Sequence, residues 1–245
     1  VRKYGFHGTS HLYVSKRAAV LLGKPASKCN IITMHIGSGA SACAIKNGNS
    51  IDTSLGMTPL AGLIMGTRSG DLDPSVPFYV KEKLGLSDAL IMEALNKQSG
   101  ILGITECYAD RRDVGEHIDD NDKCRLAADM ESSRAKKFIG SYLAAVEGPV
   151  DAIVFTAGVG ENDVLIREKI CSGLEHLGIK LDKEINRKTM VFTGSGETEI
   201  SAPDSGVKIF VIPTNEELVL AEDAIAIMNG TYNPDHLKMN YSFAK

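Results

Sequence analysis

Three short apolar runs limit how this chain can fold: CNIITMHI at 29–36, VDAIVFTAG at 150–158 and VKIFVIPT at 207–214. Each is rich in β-branched residues and too short for an independent buried helix. A strand that is apolar on both faces has to be covered on both, which is the condition met inside a parallel sheet flanked by helices. The intervals between the runs carry helical patterns. Strands alternating with helices predict an α/β domain with a largely parallel sheet.

The stretch after the first run modifies that picture. GSGAS at 37–41 is followed by ACAIKNGNSIDTS, in which Asn47-Gly48 is a strong hairpin signal between two strand-like runs. Antiparallel strands therefore join the sheet, and a mixed sheet is expected. Helices are expected from Thr9 to Leu22, capped by Thr9 or Ser10 and stopped by Gly23. Others are expected over 77–84, 87–96, about 119–146, 162–177 and 215–229. In the long one, Ala127, Met130, Ala135, Phe138, Ile139, Tyr142 and Leu143 follow helical spacing. From Gly230 onward the chain reads as a polar tail.

Length and composition exclude several classes. The 245 residues, 43% of them apolar, suffice for one large or two small domains. With 27 basic and 31 acidic residues the net charge is −4, which argues against nucleic acid as the main partner. The cysteines are Cys29, Cys43, Cys107, Cys124 and Cys171, with no C-x-x-C pair. That argues against structural zinc and a disulfide framework, and predicts reduced thiols in a cytoplasmic protein. No apolar run reaches the ~18 residues of a membrane span, and no apolar leader is visible near the start. The absence of an initiator Met suits a fragment or a processed chain.

Five stretches carry residues suited to chemistry. RKYGFHGTSH at 2–11 holds His7 and His11 around Gly8-Thr9-Ser10. His7 suits a proton donor, or a hydrogen-bond donor to a transferring group; a zinc pair lacks a third ligand nearby. HIGSGAS at 35–41 turns through Gly37 and Gly39, where backbone N–H groups can approach an anion and Ser38 and Ser41 add hydroxyls. An ordinary Gly-rich turn has the same composition. In TPLAGLIMGTRSGDLDP at 58–74, Arg68 lies between Gly66 and Gly70, which suits a planar clamp for phosphate or carboxylate. A solvated loop arginine is the plainer alternative, and Asp73-Pro74 reads as a helix start. VFTAGVGEN at 154–162 runs from a strand into Gly158-Val159-Gly160 and a helix opened by Glu161-Asn162, as in many nucleotide sites. A tight strand-to-helix turn capped by Asn162 is the alternative. IPTNEEL at 212–218 places Glu216 and Glu217 in a first helical turn, where the helix dipole favours carboxylates and where Mg²⁺ could also be held.

Taken in order, YGFHGTSH, HIGSGAS, TPLAGLIMGTRSGD, AGVGEN and IPTNEEL resemble the acetate kinases along the whole chain. That family belongs to the superfamily of sugar kinases, Hsp70-type chaperones and actin. The resemblance implies a ribonuclease-H-like (actin/Hsp70-type ATPase) α/β domain, with a mixed five-stranded sheet, flanking helices and a helical insertion. It implies reversible transfer of a phosphoryl group from ATP to acetate, giving ADP and acetyl phosphate, with Mg²⁺ and no membrane partner. By position, His7 and Arg68 would contact the transferring group. The stretch His35, Ile36, Gly37, Ser38, Gly39 would be the second phosphate loop. Asp110, Arg111 and Arg112 would be a nucleotide-contacting D-x-R segment, and Gly158, Val159, Gly160, Glu161 and Asn162 the adenosine loop. Glu216 would be the magnesium-associated glutamate. Ser38 departs from the family's common H-L-G-N-G.

The resemblance further implies that this chain is the C-terminal three-fifths of such an enzyme, inactive or nearly so by itself. Residues 1–214 would be its nucleotide-binding domain. Residues 215–245 would be a helix and tail returning to an N-terminal domain. A homodimer is implied, joined mainly through the part present. Two other readings stay open: a propionate kinase, and a non-catalytic module that binds nucleotide or dimerises.

Overall fold

A computed structural model describes residues 1–245. Helix α1 (Gly8–Leu21) leads into strands β1 (Ile31–Ile36), β2 (Ala40–Lys46) and β3 (Asn49–Thr53). Helices α2 (Ser75–Leu84), α3 (Asp88–Lys97), α4 (Gly100–Thr105), α5 (Arg111–Glu116) and α6 (Asp122–Ala145) follow. The chain then forms β4 (Ala152–Thr156), α7 (Ala157–Asn162), α8 (Val164–Cys171), α9 (Lys183–Lys188), β5 (Thr198–Glu199), β6 (Lys208–Val211) and α10 (Glu216–Met228). No helix is long and apolar enough to cross a membrane.

The strands form one mixed sheet in the order β3-β2-β1-β4-β6-β5. Strands β1, β4 and β6, the three apolar runs, are parallel neighbours at its centre. The hairpin strands β2 and β3 extend one edge antiparallel, joined at Asn47 and Gly48, both with positive φ as a tight hairpin turn requires. The α/β class is as expected, but the sheet has six strands where five were expected. The addition is β5, a two-residue strand paired to β6, too short to leave a periodic signal.

Successive side chains of a strand point to opposite faces, and the two faces here bury different partners. Ile32, Met34, Ile36, Ala42, Ala44, Ile153, Phe155 and Ile209 join the larger cluster with Ile139 and Tyr142 of α6 and Ile166 and Ile170 of α8. Ile31, Cys43, Ile45, Ala152, Val154 and Phe210 join the smaller one with Val14 and Ala18 of α1. Helix α6 approaches closely because its buried face carries Ala127, Ala128, Ser132 and Ala135. Met130, expected on that face, is exposed.

Four local expectations need correction. Helix α1 starts one residue early, with His7 as its N-cap and no capping side chain, in place of Thr9 or Ser10. The helix expected over 162–177 is split: AGVGEN is itself the short helix α7, and Asp163, not Asn162, caps α8 by accepting from Ile166 N at 2.9 Å. Arg68 is not the solvated loop arginine of the plainer alternative: it is half-buried, and the loop 65–69 that carries it is held in place. Its backbone is pinned by Ile101 N to Met65 O and Ser99 N to Thr67 O, both 2.9 Å, and by Ser69 N to Leu95 O at 3.0 Å. Finally, the segment after Gly230 is no free tail. Tyr241 and Phe243 are buried with Val219 of α10, against Leu12 and Tyr13 of α1, and Arg17 donates to Phe243 O at 2.7 Å. The other side of α10 leaves Leu220, Ile225, Ile227 and Met228 exposed.

Gly100 is what lets α4 abut the loop 65–69. Its φ is +62°, and a Cβ there would lie 2.1 Å from Met65 O and 2.6 Å from Arg68 O. Gly85 has a similar φ of +65° with nothing within 4 Å. Gly85→Ala is expected to lose only the backbone strain of about 1–3 kcal/mol. Gly100→Ala is expected to lower the urea midpoint clearly further, because the carbonyls have to move.

Candidate active site

The apolar α1 face of the sheet turns polar at the carboxyl end of β1. Alternation puts Thr33 and His35 on the same face as Ile31, and Ser41 on the same face as Cys43 and Ile45. The antiparallel register sets His35 opposite Ser41. The first turn of α1 presents Ser10 and His11 to this patch. His11 Nδ1 meets Thr33 Oγ1 at 2.7 Å and His11 Nε2 meets Ser41 Oγ at 2.8 Å. His35 Nδ1 meets Ser10 Oγ at 2.8 Å, and the Thr214 hydroxyl donates to Ser10 Oγ at 3.0 Å.

His7 completes the cluster. Its φ of 59° and ψ of 26° are left-handed, a conformation costing a non-glycine residue about 1–3 kcal/mol. The backbone strain is offset by side-chain contacts: the ring stacks on His35 at 3.9 Å between centroids and 13° between planes. Its Nδ1 lies 2.8 Å from Ser41 Oγ. Burial, and then the Arg68 charge, lower the His7 pKa from its usual value. Burial, helped by the neighbouring histidines, pushes His11 down to about 3. His35, buried beside His7, is likewise pushed down to about 3. The two deeper histidines are therefore neutral at neutral pH.

Arg68 reaches the same place from the pinned loop, and its Nη1 donates to Pro59 O at 2.6 Å. A Cβ added to Gly39 would stand 3.0 Å from Arg68 Nη2 and 3.5 Å from His7 Nε2. Histidine, arginine and the turn Gly37-Ser38-Gly39 thus converge on one point at the end of β1. An anion there would meet two side-chain donors and a glycine backbone.

Beside this point opens a cleft of about 260 Å³ whose lining includes Gly37, Ser38, Gly66, Asp110, Arg111 and Val159. Three of the motifs read from the sequence share this wall with the 66–67 turn. Arg111 is buried, with Nη2 on Asp163 Oδ2 at 2.9 Å and Nε 3.2 Å from Glu131 Oε2. Its Nη1 is buried with no hydrogen-bond partner. Burial pushes the Glu131 carboxyl up to about 7 despite the pull of Arg111, with Asp163 adding to the rise. Asp110 and Arg112 are differently employed. Asp110 caps α5 and pairs with the exposed Arg112, whose hydrogen bonds hold the carboxyl down at about 2.

The AGVGEN segment meets the cleft through Val159 only. Ala157, at φ 66°, turns β4 directly into α7, and Glu161 accepts from Ala157 N at 2.9 Å and Thr214 N at 3.1 Å. Glu161 thus ties the ends of β4 and β6 together. Asn162 donates to Gly158 O and accepts from Phe192 N. The buried Arg167 locks this turn from behind, donating to Gly160 O, Asn186 Oδ1 and Thr189 O at 2.6–2.9 Å. Glu216 lies in the first turn of α10, outside the lining of the cleft. No group of three or more His, Cys, Asp or Glu side chains is arranged to hold a metal.

Over residues 1–222 the sequence matches the acetokinase family. The chain belongs to that family. It is 61% identical over 246 residues to an acetate kinase of Trichlorobacter lovleyi and 59% identical to one of Geobacter sulfurreducens. In each case the match takes in 100% of this chain and 58% of the relative, so the chain spans well under two thirds of their length. Among solved structures, acetate kinase of Porphyromonas gingivalis superposes with a TM-score of 0.88 at 48% identity, over 93% of this chain and 56% of that one. A propionate kinase from Francisella tularensis gives 0.83 at 45% identity, over 90% and 55%. The expected α/β class of the actin/Hsp70 type is therefore that of this acetokinase chain.

Thr33, Ser10 and Thr214 have no place in the sequence analysis as site residues; Ser41 enters there as a hydroxyl for an anion, and His11 only as half of a zinc pair without a third ligand. Counting alternate positions along β1 and β2 would have put Thr33, His35 and Ser41 on one face. Nothing local shows that α1 covers that face.

The neutral histidines make stability depend on pH. His11 and His35 bind protons near 3 in the fold but near about 6.5 when unfolded. Their contribution is complete above about 6.5 and is lost as pH falls from there toward 3, by up to about 1.4 kcal/mol per histidine per pH unit. Urea midpoints are expected to drop between pH 7.5 and 5, and His11→Gln should flatten that drop.

Proposed function

We propose that this chain is the nucleotide-binding and phosphoryl-stabilising part of a reversible acetate kinase, converting ATP and acetate to ADP and acetyl phosphate. The observation that carries this is the convergence of His7 Nε2 and Arg68 Nη2 beside Gly39, in the same turn as Gly37 and Ser38 of the cleft lining. Acetate is already an anion at neutral pH and needs no general base. What in-line transfer asks of the protein is positioning and stabilisation of charge on the equatorial oxygens. The bond from the γ-phosphorus to the bridging oxygen breaks, ADP leaves with the electron pair, and a carboxylate oxygen takes its place. A neutral histidine N–H and a guanidinium suit that charge.

The same reading gives Arg111 a contact to the nucleotide, since its Nη1 is a buried donor without a partner on the wall of the cleft. A divalent ion such as Mg²⁺ fits only if the nucleotide phosphates supply most of its ligands, because the chain offers it single carboxylates such as Glu216. When bound it would neutralise phosphate charge. The groups that hold the acid are assigned to the part of the relatives' length that this chain does not span. The exposed apolar side of α10 would pack there, so that residues 215–245 join the two parts. Phe78, Tyr79, Leu84 and Leu90 lie exposed on α2 and α3, and suit the interface of a homodimer. Five free cysteines suit a cytoplasmic protein.

In a polypeptide of the relatives' length, His7→Ala and Arg68→Ala are each expected to cut turnover by about 10²–10³, with ATP affinity changed only a few-fold. Turnover within a few-fold of the parent would overturn their role. Gly158 has nothing within 4 Å of a built Cβ, whereas Gly160 abuts the backbone of Phe155 at 3.4 Å. Gly158→Val is therefore the cleaner probe, expected to weaken ATP binding by calorimetry without lowering the unfolding midpoint. The likeness to a propionate kinase supports propionate as the second substrate to try. Acetyl phosphate and propionyl phosphate formation at equal acid concentration separates the two, and strong preference for propionate would replace the assignment.

A further inference from the structure

The contacts around His7 form a single hydrogen-bonded chain, Thr33–His11–Ser41–His7. Each link is 2.7–2.8 Å long, and Thr33, His11 and Ser41 are all buried. Such a chain of hydroxyls and neutral imidazoles can be polarised in two directions. In one, Thr33 donates to His11 Nδ1, His11 Nε2–H donates to Ser41 Oγ, Ser41 donates to His7 Nδ1, and His7 carries its proton on Nε2. In the other every proton is reversed. His11 Nδ1–H then donates to Thr33, and His7 keeps a bare Nε2.

The starting residue decides between them. The Thr33 hydroxyl is fully buried and His11 Nδ1 is its hydrogen-bond partner. Reversal would leave the Thr33 proton without an acceptor inside the protein, a loss that buried hydroxyls seldom sustain. In the forward direction every donor in the chain has an acceptor, and the only one left over is His7 Nε2–H, pointing to where Arg68 Nη2 also ends. The ring plane of His7 is already held by its stack on His35, so what the chain adds is the position of the proton.

We propose that Thr33, His11 and Ser41 are positioning residues that hold His7 as a neutral Nε2–H donor toward the phosphoryl group. This rests on the phosphoryl-facing role given to His7 above. It also has a chemical consequence: Nε2 has no free lone pair, so His7 does not itself accept the phosphoryl group. The ring donates a hydrogen bond and is not a nucleophile.

The test reads the proton directly, by ¹⁵N–¹H correlation of histidine-labelled protein of the relatives' length at neutral pH. His7 is expected to be protonated on Nε2 and unprotonated on Nδ1, and His11 the same. A His7 protonated on Nδ1, or an even mixture, would overturn the proposal, whatever the activity. Thr33→Val removes the starting donor at nearly constant volume. It should convert His7 to a tautomer mixture and lower kcat about tenfold or more, a part of the ~10²–10³ that one lost donor costs, with KM for ATP unchanged. Thr33→Ser should restore both. An unchanged His7 tautomer in Thr33→Val would refute the relay. Tautomers that shift as expected with no change in kcat would uphold the relay and refute the phosphoryl-facing role. If Thr33→Val does not fold, the parent spectrum alone decides.

Discussion

The site depends on one geometric constraint, the period-two alternation of β1 read in register with β2. Ile31, Thr33 and His35 share a face, and Ser41 sits opposite His35. That face begins apolar, where it buries Val14 and Ala18 of α1, and ends polar, where the first turn of the same helix supplies Ser10 and His11. A slip of one residue would send Thr33 and His35 to the α6 side and expose the helix to mismatched partners. The apolar half of the face therefore fixes the register that the polar half uses.

Around this frame, strain and buried polarity are each matched by a specific contact. His7 stands in a left-handed conformation, and its ring is held by a stack and a hydrogen bond. Ala157 does the same at the end of β4, with Glu161 accepting its N–H. Arg167, wholly buried, finds four oxygen acceptors at hydrogen-bond distance. Arg111, on the cleft wall, is less fully matched, since its Nη1 is buried without a hydrogen-bond partner. His7, Ala157 and Arg111 lie near the carboxyl end of the parallel strands, where open α/β sheets bind ligands.

Local signals and distant ones differed in how far they could be read. The three apolar runs, the Asn47-Gly48 hairpin and the long helix α6 are short-range features, and each formed close to its expected limits. The order of the motifs was enough to identify the family. Less legible were elements whose form depends on partners far along the chain. Helix α7 looked like a loop because Gly158 and Gly160 suggest one, but Arg167 and Glu161 hold it as a helix. The segment after Gly230 looked like a polar tail because Tyr241 and Phe243 are isolated apolar residues. They become core only once Val219 and Tyr13 are brought beside them.

By itself the sequence determined the residue types at the site, the strand faces they occupy and the family. The tertiary structure alone decided which side chains meet. His7 and Arg68 are sixty-one residues apart, and no local propensity specifies that loop 65–69 is pinned against α4 so that both reach Gly39. Nor does it specify that α1 covers the β1–β2 face and joins Thr33, His11, Ser41 and His7 into one chain. Hydrogen-bond direction and burial-driven pKa shifts arise from these long-range contacts, since desolvation belongs to a site in the folded protein and not to a stretch of residues.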